Sequence, residues 1–425
     1  MKIRCGLIGF GTVGSGVYTL LQKHRTDIYK KTGVDIELVT ICDVRDIKDK
    51  VNVPVTGSWQ DVVNDASIDV VIELIGGIEP AKTIILSALN AGKSVVTANK
   101  KLLAESGNDI FTASQKAKGA LAFEAAIGGG IPCVAALRNG LVGNAIQSVV
   151  GILNGTTNYI LTRMAEDGMS FDEALKLAQA KGYAEADPTF DIEGFDAAHK
   201  IALLSMLAYN VRVSMQNIYI EGITKITSLD IKYAHEMGYT IKLLGVSRMV
   251  DDKLDIRLQP VMIPFTHPLA SVRNEFNAVM YNGDMTGAVT LYGKGAGSLP
   301  TASAVVSDVV SIAQKQNGIK DSVYIANDAQ YLSSDDRMLR YYVRLHTEDR
   351  AGILSKISGV FASYNISIAS VIQKEVNAPY VPLVITTHAA REAAMHKAKQ
   401  DIEQFNFVNG QVMVIPIEDF NSTGE

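Results

Sequence analysis

The sequence predicts a multidomain chain that is α/β at its start and α+β beyond: a doubly wound parallel sheet, a mixed sheet, then a small ferredoxin-like unit. Three observations carry that reading. Short, near-continuous apolar runs alternate with amphipathic stretches through the first third of the chain, as expected of a parallel sheet buried on both faces. Long alternating runs dominate between residues 218 and 292. The last fifth of the chain reads strand, helix, strand, strand, helix, strand, which is the ferredoxin-like order.

Taken in order, residues 3–9, 36–43, 70–74, 94–97 and 121–124 read as strands, with helices over 80–91 and 106–118 between them. Repeated βα units assign 1–132 to the parallel sheet. The texture changes near Ile131. Ser170-Phe171-Asp172-Glu173 is a capping box, in which hydroxyl and carboxylate satisfy the free amides of a helix start; that helix runs to about Lys181 and stops at Gly182. A second helix, 196–209, follows a loop rich in Gly, Pro and Asp. Runs such as 254–263 predict a mixed sheet with one covered face. An apolar-striped helix over 301–316 returns to the first sheet. Residues 133–317 form the second domain, and 318–337, polar and irregular, a linker. Strands at 339–346, 366–373, 381–388 and 411–415 with helices at 352–364 and 391–405 complete a small domain over 338–425.

Composition narrows the class. Hydrophobic residues make up 47% and charged residues 20% of 425, enough apolar surface for real cores. A net charge of −5 without a basic segment argues against a nucleic-acid partner. Cys5, Cys42 and Cys133 are widely spaced without a CxxC partner, which suits a reducing cytoplasm. Met1-Lys2-Ile3-Arg4 leads directly into a strand, leaving no room for a signal peptide. No apolar run approaches the roughly 18–20 residues that span a bilayer, so a soluble, cytoplasmic protein without a membrane partner is expected. The seven histidines show no metal-ligand spacing.

Gly9-Phe10-Gly11-Thr12-Val13-Gly14 follows a predicted strand and opens a predicted helix. Gly9 permits the tight turn, Gly11 lets the backbone approach a pyrophosphate, and Gly14 lets helix and strand pack closely. The helix start offers free amides to the phosphates. A lone GxGxxG is weak; here the flanking strand, helix and later βα units agree with a dinucleotide site. At the second strand's end, Asp43 would accept from the ribose of NAD, whereas Arg45 would hold the 2′-phosphate of NADP. Both are present, so the cofactor is NAD or NADP.

Hydride transfer to a carbonyl needs a proton donor for the developing alkoxide. Lys100 follows Val95-Val96-Thr97-Ala98-Asn99 at the carboxyl end of a strand, the edge where open parallel sheets bind ligands. Lys200 lies i, i+4 from Asp196 on one helix face. Apolar Ala197, Ala198, Ile201 and Ala202 around it would desolvate the ammonium and depress its pKa, fitting it for acid catalysis. An exposed helix ion pair is the plainer alternative. Glu185, Asp187, Asp191 and Glu193 in the preceding loop suit a cationic substrate amine. His199 is one residue off the Lys200 face, and a packed or surface role is expected. The loop Glu124–Ile131 offers backbone carbonyls, plus Glu124, to a hard monovalent cation; a glycine hinge between domains explains it as well.

Several motifs together resemble homoserine dehydrogenase: GFGTVG (9–14), TANK (97–100), FEAAIGGGIP (123–132), GILNGTTNYIL (151–161), KGYAEADPTFDIEGFDAAHK (181–200) and GKGAGSLPTASAVVSD (293–308). The likeness covers residues 1 to about 315, and the rest, opening with DRAGILSKI (349–357), resembles an ACT domain. The resemblance implies NAD(P)-dependent interconversion of L-homoserine and L-aspartate 4-semialdehyde, in threonine, isoleucine and methionine biosynthesis. It makes Lys200 the proton donor and Lys100 a second active-site lysine. Glu185 and Asp191 would hold the substrate ammonium, and Asp196 would support substrate and Lys200. Gly182 and Gly297 would line the nicotinamide end of the cofactor, and Glu124, Ile127, Gly129 and Ile131 would match a sodium site. It makes 133–317 the catalytic and dimerisation domain, and the chain a homodimer or homotetramer.

The ACT resemblance implies allosteric feedback, with threonine as effector. Asp349-Arg350-Ala351-Gly352 lies between strand and helix, where free amides receive a carboxylate, and Asn365 adds a polar contact. An ACT fold kept only for oligomerisation is the alternative. Two other functions compete: a dehydrogenase of a related amino-acid semialdehyde, and a non-catalytic amino-acid sensor. The acids and lysine of 181–200 argue against the first, and intact lysines and glycines against the second.

Overall fold

The computed structural model describes residues 1–315, 325, 327–374 and 378–420. A six-stranded parallel sheet forms the first layer, its outer strands Val55–Thr56 and Leu121–Ala122 flanking Asp35–Cys42, Lys2–Ile8, Val70–Glu73 and Ser94–Thr97 in spatial order. The order reverses direction at Lys2–Ile8, so its carboxyl end opens onto the crevice where such sheets bind ligands. The strand expected over 121–124 stops at Ala122. Glu124 begins a 3₁₀ turn, Glu124–Ala126, because its amide donates to Asp308 Oδ2 (2.9 Å) and its carboxylate accepts from Val134 and Ala135.

The helix expected over 301–316 spans Ser298–Lys315, residue 316 lying outside the described residues. Its Val305, Val309 and Ile312 share a core with Ile3, Leu7 and Val17 of the first sheet and its first helix, Thr12–Thr32. Gly16 makes the close approach: a Cβ there would lie 2.6 Å from Ser298 Oγ. Chain from three hundred residues away thus closes the first domain.

Strands Ile146–Ile152, Tyr239–Val250, Lys253–Pro264, Phe276–Gly283 and Gly287–Lys294 build the mixed sheet. Its face is not singly covered as expected. Leu254 to Ile263 are all buried, because helix Phe195–Tyr209 covers one side and the 264–275 loop the other. The helix Ser228–Glu236 interrupts the run read as strands; Thr227 and Asp230 form its capping box.

The C-terminal unit has the expected βαββαβ order, with strands Val408–Ile417, Met338–Thr347, Val381–Thr387 and Ile368–Gln373 side by side. It is not hung on a free tether. Val408–Ile417 pairs with Lys253–Pro264 through Met262 and Ile417, so one eleven-stranded sheet runs through both units. Of the stretch 318–337, residues 318–324 and 326 lie outside the described residues; Asn327–Asp328 pairs with Val211–Arg212, and Tyr331 bridges to Leu254. Buried charges lock the seam: Asp255, Arg257 and Arg337 with Glu418 and Glu392, and Arg344 with Asp230 (2.6 Å). Among the described residues no helix is long and apolar enough to cross a membrane.

Candidate active site

Asp196, in the first turn of helix Phe195–Tyr209, is 4% exposed. One carboxylate oxygen lies 2.7 Å from Lys100 Nζ and the other 2.7 Å from Lys200 Nζ. Lys200 also donates to the Leu153 carbonyl (2.7 Å) and is 5% exposed, so the ion pair is not a wet-face one. Lys100 comes from the first turn of helix Lys100–Lys116, whose N-cap is Asn99; its side chain keeps about a third of its surface. That helix starts earlier than the 106 expected, and Ser106 is only a kink within it.

The two lysines are driven apart electrostatically. For Lys200, burial lowers the pKa, Asp196 opposes this and Lys100 reinforces it, with a net lowering. For Lys100, burial lowers it, but Asp196, Asp191 and Glu185 together prevail and raise it. Burial by itself would raise Asp196, yet the two ammonium groups hold it well below the usual carboxylate range. The shared carboxylate thus sits between two ammonium groups whose proton affinities are shifted in opposite directions, Lys200 downward and Lys100 upward.

The acidic loop meets this cluster through Asn154. Its Nδ2 donates to Asp191 Oδ1 (2.8 Å) and Asp196 Oδ2 (3.0 Å), while its Oδ1 caps helix Gly155–Glu166 at the Thr157 amide. Thr156 Oγ1 lies 3.2 Å from Asp191 Oδ2. Burial, then the nearby Asp196 charge, raises the Asp191 pKa. Glu185 stands exposed at the rim. His199 is buried, with Nε2 3.1 Å from Glu105 Oε1, so it ties the Lys200 helix to the Lys100 helix. Sequence reasoning missed Asn154 and Thr156 as site residues, although both lie in the GILNGTTN stretch.

At the other end, the glycine loop has its expected geometry. Gly9 takes φ +98°, and a Cβ at Gly14 would overlap the Gly9 carbonyl oxygen. A Cβ at Gly11 would meet no atom within 4 Å, leaving open space over the helix start where Thr12 and Val13 follow. Asp43 accepts from the Phe10 amide (2.7 Å) and from Arg45 Nε (2.8 Å) and Nη2 (2.9 Å). The Arg45 guanidinium holds its carboxyl below the usual range. Asp43 therefore braces the loop, and Arg45, with a 61% exposed side chain, is the group facing outward.

The chain as a whole is similar to known proteins. Family models match residues 132–310 as homoserine dehydrogenase, 9–124 as its NAD binding domain and 341–406 as an ACT domain. A homoserine dehydrogenase of Neisseria gonorrhoeae is 42% identical, with 98% of each chain covered. The chain belongs to the homoserine dehydrogenase family. It is accordingly an NAD(P)-dependent oxidoreductase with a C-terminal ACT domain. The homoserine dehydrogenase structure from Thiobacillus denitrificans superposes with a TM-score of 0.92 at 41% identity, covering 99% of both chains. That from Staphylococcus aureus gives 0.78 at 31%, covering 98% of this chain and 99% of its own.

Gly182 (φ +74°) and Gly297 (φ +122°) both need the left-handed region. The Glu124 side chain caps the amides of Val134 and Ala135, one on each carboxylate oxygen, which leaves each oxygen a further lone pair. The carbonyls of Glu124 and Ile131 each accept one amide, from Ile127 and Cys133, which leaves each a second lone pair. A Cβ at Gly129 would lie 2.5 Å from the Gly295 carbonyl, and one at Gly128 2.6 Å from Cys133 Sγ and 2.7 Å from Ile131 O, so the loop is tightly packed.

Proposed function

We propose that this chain oxidises L-homoserine and reduces L-aspartate 4-semialdehyde with Lys200 as the proton-transferring group. The observation that carries the reading is Asp196 held at 2.7 Å from both Lys100 and Lys200 beneath the acidic loop. NADP, when bound, supplies or takes the hydride. In the reductive direction the Lys200 ammonium gives its proton to the developing alkoxide, and Asp196 holds Nζ in place through both steps. Lys100, kept charged by Asp196, stabilises negative charge on the substrate. Asp191 and Glu185 hold the substrate ammonium by charge-assisted hydrogen bonds. Burial around Lys200 keeps its pKa lowered, which eases release of its proton.

The cofactor reading favours NADP. Asp43 and Arg45 bind each other, and Arg45 Nη2 also donates to the Phe10 carbonyl, but the Arg45 side chain is 61% exposed against 6% for Asp43, so the guanidinium is the group accessible to a 2′-phosphate. The cradle formed by the carbonyls of Glu124, Ile127, Gly129 and Ile131 would hold a sodium ion and stiffen the junction beside Gly295. Threonine would inhibit through the ACT unit, its carboxylate at the Gly352 helix start; Asn365, expected to add a contact, follows the opposite end of the helix Ile353–Ser363, about 16 Å away along its axis, and is not part of that pocket. The sheet ends in two edge strands, Gly287–Lys294 and Ile368–Gln373, which fit pairing between copies in a homodimer or homotetramer.

The test is substrate discrimination. Aspartate semialdehyde should be reduced far better than the same aldehyde lacking the α-amino group, since lost charge-assisted contacts cost about 1.5–3 kcal/mol each. Equal kcat/KM for both aldehydes would remove the acidic loop from substrate binding. Threonine titration of the same assay checks the effector: unchanged rates would leave the ACT unit structural.

A further inference from the structure

One buried titratable side chain next to Lys200 has no part in the mechanism above. His199 is 4% exposed. Its Nε2 lies 3.1 Å from Glu105 Oε1, so that nitrogen carries the proton and donates to the carboxylate. Its Nδ1 has no hydrogen-bond partner among the described residues. A buried ring nitrogen left unpaired costs about 1–3 kcal/mol, which an apolar side chain of similar size would avoid. What such a side chain would lack is the bond to Glu105. The ring sits where parts of the site converge. Glu105 comes from the Lys100 helix, and Phe190, its ring centre 5.6 Å from the imidazole, precedes Asp191 in the acidic loop.

The Lys100 helix bends at Ser106 (φ −136°, ψ 16°), so residues 100–105 are a short segment set off from the remainder. Lys100 opens the segment and Glu105 closes it, about 7.5 Å further along the axis. Each end is bound to helix Phe195–Tyr209, Lys100 to Asp196 at 2.7 Å and Glu105 to His199. Asp196 and His199 are i, i+3 and share a helix face. A single contact would let the segment pivot about Lys100; a second fixes its direction. The segment belongs to the nucleotide domain and its partner helix to the second domain. The same contacts therefore set how the domain that carries the cofactor meets Lys200. This inference rests on the reading above, in which Lys100 stabilises the substrate's charge and Lys200 moves its proton. We propose that His199 is a positioning residue for the reaction: through Glu105 it aligns the 100–105 segment with the Lys200 helix, so that Lys100 and Lys200 keep their spacing across the substrate.

The test compares His199→Leu and Glu105→Leu, which delete the hydrogen bond from either side, with the double leucine variant and His199→Gln, whose Nε2 can donate in the imidazole's place. Steady-state homoserine oxidation with NADP is followed for each, alongside melting temperatures. Either leucine variant should lose roughly tenfold to a hundredfold in kcat, the scale of about an ångström of misplacement. KM for homoserine and for NADP should stay within about twofold of wild type. His199→Gln should recover most of the loss, and the double variant should be no slower than either single one, because both delete the same bond. The Glu105 side chain is 33% exposed, so its variant carries the test whether or not leucine at 199 folds. A kcat near wild type in folded Glu105→Leu overturns the proposal. So do a loss confined to KM, a glutamine variant as slow as the leucine one, or losses that multiply in the double variant. Lys200→Ala in the same assay reports on the reading beneath: if it turns over like wild type, that reading fails and this inference with it. If it is slow while Glu105→Leu is fast, only this inference fails.

Discussion

Asp196→Asn deletes the charge that both active-site lysines share while keeping the side chain's shape. In wild type, burial and Lys100 push the Lys200 pKa down, and Asp196 pushes it back. Without that carboxylate the lowering influences of burial and Lys100 meet only the smaller opposing pull of Asp191. A unit charge about 4 Å away at an effective dielectric near 20 is worth about 4 kcal/mol, or about three pKa units, as an upper scale. The two lysines respond differently. Lys100, with 35% of its side chain exposed, can turn to solvent; Lys200, at 7%, cannot and will shed its proton instead. The alkaline limb of kcat/KM for aspartate semialdehyde reduction, which reports the acid in the free enzyme, should move down by at least one pH unit. The assay is a pH series following cofactor absorbance, with circular dichroism to verify folding. An alkaline limb at the wild-type position in a folded, active variant would refute the claim that Asp196 sustains the Lys200 proton.

Three further outcomes follow from other parts of the molecule. Gly11→Ala should keep the wild-type melting temperature yet weaken cofactor binding, since its Cβ points into open space; Gly14→Ala should lose about 1–3 kcal/mol of stability by overpacking against Gly9. Equal melting temperatures for the two would contradict this division. Arg45→Ala should raise the KM for NADP roughly tenfold to a hundredfold and leave that for NAD nearly unchanged; a parallel change in both would place the 2′-phosphate elsewhere. Lys242, buried against the Val272 carbonyl and Asn158, has its pKa pushed down to about 8, mainly by burial. The unfolded chain then binds more protons between pH about 8 and about 10.4, so stability rises with pH across that window, by about 3 kcal/mol in all. Denaturant titrations should show a steeper rise in wild type than in Lys242→Met across that window; identical slopes would discard the assignment.

Local signals proved legible where short-range chemistry decides the structure. The capping box at Ser170 forms with both its hydrogen bonds, and Ser94–Thr97 is a strand at the residues expected. The lysine–carboxylate helix was readable because i, i+4 spacing needs no knowledge of the fold. Helix Ser228–Glu236 was missed although Thr227 and Asp230 carry its cap, since the flanking alternation outweighed it. Ser106 and Gly107 hid the true start of the Lys100 helix, whose Asn99 cap was the better guide. The Asn154 bridge to two carboxylates spans 37 and 42 residues, and no local pattern announces it. Nor does any announce the shared sheet, which rests on Met262 meeting Ile417 and on buried charges supplied from both units. Arg257 and Asp255 read as ordinary polar positions of an alternating strand until the C-terminal unit covers them.

The central claim, that Lys200 transfers the proton, is tested most directly by single-turnover homoserine oxidation with Lys200→Ala. Loss of a positioned acid–base group should lower the hydride-transfer rate by roughly 10²–10⁴, with cofactor affinity near wild type because the glycine loop is untouched. A rate within about twofold of wild type in a folded variant that binds NADP normally would contradict the account.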